Sequence, residues 1–276
     1  MNTSAQAMTM DEERPRPARV APHATHKFKL LLKREFWEHK GGFFWAPIWA
    51  GGISLVLTLM ALVVAEVAGR RAVASGKMQI DGDININGLD LSALTSKMDA
   101  GDLQKLAGGI DISTVMSSAW PMVVLAFVVF FYCLGSLYDE RKDRSVLFWK
   151  SLPVSDRETV LSKLATALVV GPLLASLIGI ATMIGFGLVM SLFILLNGAN
   201  PFTLYWGQLD FFSLVGTMLG WIPLYALWAL PTAGWLMLCS AWAKSKPFLW
   251  AIVLPVGAGL LVSWFGLFRM FEGGAS

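Results

Sequence analysis

The chain has 276 residues, 55% of them apolar and only 15% charged, and its mean hydropathy is +0.60. A soluble domain carries about 25% charged residues. This balance therefore excludes a water-soluble globular fold and marks an all-α polytopic membrane bundle. The net charge of +3 is small and spread along the flanks of the apolar runs, which excludes a nucleic-acid binder.

Residues 1–26 contain DEERPRPAR and no apolar central region. They read as a disordered cytoplasmic tail with no signal peptide. His23 and His26 lack a Cys or a third ligand nearby, so a metal site is not expected there. Next comes KFKLLLKREFWEHKGG, residues 27–42. Phe28, Leu31, Leu32, Glu35, Phe36 and His39 follow helical spacing, and Lys33 falls among the lysines of the other face. The pattern predicts an amphipathic interfacial helix that Gly41 and Gly42 stop.

The spacing then predicts a transmembrane domain over residues 43–276. Span 1 covers about 44–65, with Trp45 and Trp49 at its entry. Residues 68–118 are polar and read as a small folded loop outside the membrane, in which MDAGDLQKLAGG forms a short helix with a glycine stop. DGDININGLD lacks the twelve-position pattern and closing Glu of a calcium loop. Span 2 covers about 119–137 and span 3 about 164–196. Span 3 exceeds the roughly 20 residues of one perpendicular crossing, and Gly171-Pro172 could kink it. Span 4 covers about 212–242, interrupted by Pro223 and Pro231. Lys244 and Lys246 form a basic turn before span 5, at about 248–268. Cys133 and Cys239 lie inside apolar runs and read as buried free thiols. Gly216 and Gly220 make a G-xxx-G pair, assigned to helix packing within the chain rather than to a dimer contact.

Lys and Arg near the span ends divide thirteen against six between the two sides. This predicts a cytoplasmic N-terminus in a plasma (inner) membrane, with five spans. Arg70 and Arg71, directly after span 1, run against that rule. The span centres carry no Asp, Glu, Lys, Arg or His. Ion-coupled transporters and intramembrane proteases place such groups at membrane depth, so both are disfavoured. Gly69-RRAVAS-Gly76-Lys77 has the wrong spacing for a phosphate loop. No catalytic constellation is visible, so the chain reads as a non-enzyme with no cofactor of its own.

Between spans 2 and 3 lies Tyr138–Lys163, YDERKDRSVLFWKSLPVSDRETVLSK, with eleven charged residues. Val146, Leu147, Phe148, Trp149 and Leu152 form an apolar centre, and Pro153 breaks the helix. Ser155 with Glu158 three residues on has capping-box spacing. The segment therefore reads as helix, proline turn and second helix, a shape suited to the groove of a soluble partner. Its order resembles E-R-x-x-G-T-L-E-x-L-L-x-x-P-V-S…K of permease subunits of type-2 ATP-binding-cassette exporters. Glu140, Arg141, Ser145, Val146, Pro153, Val154, Ser155 and Lys163 stand at matching positions.

The resemblance implies a coupling helix that docks on a separate ATPase subunit, which binds the ATP. It also implies a second permease chain. Glu140, Arg141, Val146, Phe148, Trp149 and Pro153 would then be coupling residues. Lys33, Arg34, Glu35 and Phe36 would belong to the interfacial helix, with Glu140 and Arg141 free to pair with it or with the partner. There are two departures. Arg144 stands where the family has Gly, and the family has six spans where five are counted here, so either span 4 is two crossings or the chain is a shortened version, the second being favoured. The alternative is a membrane anchor or scaffold that transports nothing.

Overall fold

The computed structural model describes residues 24–75, 99–145 and 155–273. Among the described residues it is helical without strands. α1 is Ala24–Glu38, and a π-turn over Gly41–Trp45 leads into α2, Ala46–Ala74. α3 is Ala100–Gly135 and α4 is Tyr138–Lys142. α5, Asp156–Ala165, continues through a π-turn at Thr166–Val170 into α6, Gly171–Leu196. A third π-turn, Phe202–Trp206, precedes α7, Phe211–Trp242, and α8, Pro247–Gly273. Among the described residues five helical stretches are long and apolar enough to cross a membrane: Gly41–Arg71, Gln104–Lys142, Asp156–Leu196, Phe211–Trp242 and Pro247–Phe265. The protein is an all-α polytopic bundle embedded in a membrane.

Several boundaries differ from the sequence expectation. The surface helix ends at Glu38, before the two glycines. Gly42 serves a close approach instead, since a Cβ there would lie 2.9 Å from Val128 of α3. The helix expected to stop at Gly108-Gly109 does not stop. Those glycines sit inside α3, whose 36 residues extend about 54 Å at a rise of about 1.5 Å per residue. Tertiary packing overrides the weak glycine penalty of about 1 kcal/mol per residue, because Leu106 and Ile110 join an apolar core beyond the expected start of the span. α7 is one continuous helix through Pro223 and Pro231. Gly216 and Gly220 face open space, with nothing within 4 Å of a Cβ at either, so among the described residues they pack no other helix. Cys133 and Cys239 are buried free thiols.

Proline explains several local features. A proline has no N–H for the carbonyl four residues back, and its ring crowds that carbonyl. Two of the π-turns lie directly before such prolines. Ala46 N bonds Gly41 O ahead of Pro47, and Gly171 N bonds Thr166 O ahead of Pro172. Each bond spans five residues rather than four, which widens the turn where an α-helical bond is missing. The two π-turns pack together, with a Cβ at Gly171 only 3.0 Å from the Phe43 ring.

Elsewhere a neighbouring helix supplies the missing donor. Pro121 leaves Ser117 O without its helical partner, and Ser54 Oγ of α2 donates to it at 3.0 Å. Pro255 does the same to Ala251 O, and Trp235 Nε1 of α7 donates there at 3.2 Å. In hydrocarbon no water can substitute for such donors. Ser54→Ala, which leaves the Ser117 carbonyl bare, is expected to cost about 1–2 kcal/mol. Thermal unfolding in micelles checks this, and Ser54→Thr, which keeps the hydroxyl, should unfold near the native temperature.

Two apolar cores hold the bundle, one near each end. At the end where α1 lies, Phe43, Leu125, Val129, Cys133, Leu168, Ala175, Leu236 and Cys239 pack together. At the opposite end Ile110, Phe186, Ile194, Tyr205 and Leu209 do so. Between these cores α3, α6 and α7 enclose a cleft of about 510 Å³.

Candidate functional site: a buried ion square

Four charged side chains meet at the α1 end of the bundle. Arg34 and Glu35 come from α1, Glu140 from α4 and Lys163 from the last turn of α5. Glu35 Oε1 accepts from Arg34 Nη2 at 2.6 Å and from Lys163 Nζ at 3.0 Å. Glu140 Oε1 meets Lys163 Nζ at 3.0 Å and Arg34 Nη2 at 3.1 Å. Acid and base alternate around a closed square. Glu35 is 0% exposed and Lys163 1%. Tyr132 of α3 donates its hydroxyl to the remaining oxygen, Glu35 Oε2, at 2.9 Å. The Tyr132 ring is held edge-on by His39 and Phe43, with centroids at 4.7 and 5.0 Å.

Local sequence explains each placement. Glu35 lies on the apolar stripe of α1, so packing α1 against α5 buries it. Lys33, on the other face, is exposed, and Phe36 is half-buried against Trp37. α5 starts at the capping box read from the sequence. Glu158 N donates to Ser155 Oγ at 3.2 Å and Ser155 N to Glu158 Oε2 at 3.1 Å. That fixed start sets the helical phase that turns Lys163, about two turns later, into the square. Burial by itself pushes the Glu35 carboxyl upward. The Lys163 ammonium, the hydrogen bonds from Lys163 and Tyr132, and the Arg34 charge more than reverse this and hold it below the ordinary value of 4.5.

Arg141 does not join the square. Its Nη2 donates to Ser240 O at 2.6 Å and Ala243 O at 2.9 Å, carbonyls that the end of α7 leaves without helical partners. Ser240 Oγ in turn accepts from Leu137 N and Tyr138 N, at 3.1 and 2.9 Å, where α3 gives way to α4. α4 is thus clamped to α7 by Arg141 and to α1 and α5 by Glu140. Of the expected coupling residues, Val146, Phe148, Trp149 and Pro153 lie outside the described residues. Lys163 and Tyr132 are the members that the sequence did not single out as site residues.

Arg144 has φ +57°, in the left-handed region. That is backbone glycine adopts freely and an L side chain adopts at a cost of about 1–2 kcal/mol. Arg144 therefore stands at a position whose backbone favours glycine. The Arg144 side chain is exposed, so Arg144→Gly sacrifices no buried contact. It is expected to stabilise the protein by about 0.5–1 kcal/mol, after the extra freedom of glycine in the unfolded chain is subtracted. A small rise in the melting temperature is the readout, and a fall would show that the arginine side chain matters there.

Among the described residues no three His, Cys, Asp or Glu side chains gather as metal ligands. The square can hold charge and transmit force between helices. No family model, no curated protein and no solved structure matches the chain.

Proposed function

We propose that the chain is the permease subunit of an ATP-binding-cassette exporter, and that residues 138–163 couple it to a separate ATPase. The observation that carries this reading is the ion square. Burying charges costs several kcal/mol per ion before pairing returns it, and a plain solvated loop has no need of that expense. Here Glu140 and Lys163, near the two ends of the segment, are tied to α1 and to each other. A segment anchored at both ends acts as a lever, so a push on it moves α1, α3 and α5 together. Arg141 extends the connection to α7.

The resemblance of the segment to the coupling helix of type-2 exporters supplies the partner class. The left-handed backbone at Arg144 agrees with the glycine of that pattern. Exposed Gly216 and Gly220, on a helix with little of its surface covered, leave room for a second permease chain. The segment then faces the cytoplasm, as the Lys and Arg distribution predicts, and ATP-driven closure of the ATPase pair tips the spans.

The test is co-purification with an ATP-binding-cassette ATPase encoded beside this chain. The double variant Phe148→Ala/Trp149→Ala removes the apolar docking anchors and leaves the ion square intact. It is expected to lose ATPase binding while retaining expression and stability. If that variant binds the ATPase as the native chain does, the segment is not the docking site. If no such ATPase binds the native chain at all, the permease reading fails and the anchor reading takes its place.

A further inference from the structure

The cleft between the two cores has the shape and lining of a ligand site that the ion square does not use. Its walls are Val115–Ala126 of α3, Pro172–Met183 of α6 and Leu214–Tyr225 of α7. Each stretch advances eleven residues, about 16 Å of helix, so the cleft is long and runs with the helices. Its volume of about 510 Å³ falls within the range of small-molecule sites, about 300–1,000 Å³. Met122, Met183 and Met218 contribute flexible thioethers that adapt to chains of varied shape.

One polar group on this wall is out of place. Ser176 is 0% exposed and its Oγ has no hydrogen-bond partner. Several other hydroxyls of the bundle bond back to their own helix. Thr182 donates to Ile178 O, Ser191 to Gly187 O and Ser118 to Val115 O. A buried hydroxyl left unpaired costs about 1–3 kcal/mol. A serine hydroxyl has three staggered positions, and in a mainly apolar cleft, whose other small hydroxyl residues are Ser118 and Thr217 on the facing helices, a bound molecule is an available source of a partner.

We infer that this cleft binds the alkyl chain of a lipid-like amphiphile that carries a hydroxyl or carbonyl within its apolar part, with Ser176 as the hydrogen-bonding residue. Binding is a property of this chain alone and does not rest on the permease reading. A plain alkyl chain fills the cleft. A chain bearing a hydrogen-bonding group at the depth of Ser176 fills it and satisfies the hydroxyl as well.

The experiment uses the full chain in phosphatidylcholine nanodiscs and a stearic acid probe bearing a mid-chain diazirine. Light-driven adducts are mapped by peptide mass spectrometry, with unlabelled stearic acid and mid-chain hydroxystearic acid as competitors. Saturable labelling at Met122, Met183 and Met218 is expected, with hydroxystearic acid the better competitor. Ala119→Phe, which fills the cleft, should reduce that labelling about tenfold and leave lipid-facing Leu260 and Val262 labelled as before. Ser176→Ala should weaken competition by hydroxystearic acid roughly threefold to tenfold and leave stearic acid unchanged. Labelling of the cleft no more saturable than at Leu260 and Val262 would mean annular lipid only and would overturn the proposal. So would a Ser176→Ala effect equal for both competitors.

Discussion

Lys163→Met is expected to destabilise the folded chain by about 3–5 kcal/mol, because it leaves Glu35 and Glu140 facing each other in a buried site with only Arg34 to balance them. Glu35→Gln should cost less, since the amide still accepts from Lys163 and Tyr132. The decisive measurement is the double variant Glu35→Leu/Lys163→Met. Replacing a buried ion pair with apolar groups of similar volume is often neutral, so the double variant should recover much of the loss. Equilibrium unfolding in mixed micelles gives these values. With Glu35→Leu measured alone as the matching single, a double variant as unstable as the sum of Glu35→Leu and Lys163→Met would show that Glu35 and Lys163 act independently, against the geometry.

The same pair predicts a pH dependence. The Glu35 carboxyl is held below 4.5 in the folded protein and takes its ordinary value when unfolded. Its contribution is therefore complete above about pH 5 and is lost as pH falls through 4.5 toward the lowered value. The native chain should lose stability across that window more steeply than Glu35→Leu/Lys163→Met. Equal slopes would remove Glu35 as the source.

The second large effect lies in the middle of the bundle. Gly51 of α2 meets Thr182 of α6 and Pro121 of α3, and any Cβ there collides with the Thr182 hydroxyl. That hydroxyl is not a flexible chain end. It sits on a β-branched carbon and is bonded to Ile178 O at 2.9 Å, so the helices themselves must part. Gly51→Val is expected to cost about 2–3 kcal/mol. Adding Thr182→Ala, which deletes the colliding atom, should return most of the loss. A melting temperature unchanged by Gly51→Val would mean that α2 and α6 are not in contact at this depth.

How much of this was legible before the structure follows from the range of each signal. The five membrane helices were legible, because span length and apolar composition are local properties. The Ser155–Glu158 cap was legible for the same reason, its two partners being three residues apart. Glu35 was half legible. Its helical phase put a carboxylate on an apolar stripe, which signals a buried charge. Its partner Lys163 lies 128 residues away, and no spacing rule reaches that far. The length of α3 was missed because Gly108-Gly109 is a strong local stop signal, and the packing that overrides it involves α6 and the segment before α7. The π-turns before Pro47 and Pro172 followed from proline chemistry that the sequence already displayed. Which neighbours would answer Pro121 and Pro255 depended on the packing of α2 and α7.

The square also has an electrical consequence. Two carboxylates and two cations sum to zero, and Tyr132 adds nothing. A single charge carried across the whole membrane field changes energy by about 2.3 kcal/mol per 100 mV. A rigid, neutral unit displaced along that field does no net electrical work. The square itself should therefore add no voltage dependence to a movement of α1, α4 and α5. Of the charges at this end of the bundle, only those outside the square, such as Lys33 and Lys40, would register the potential.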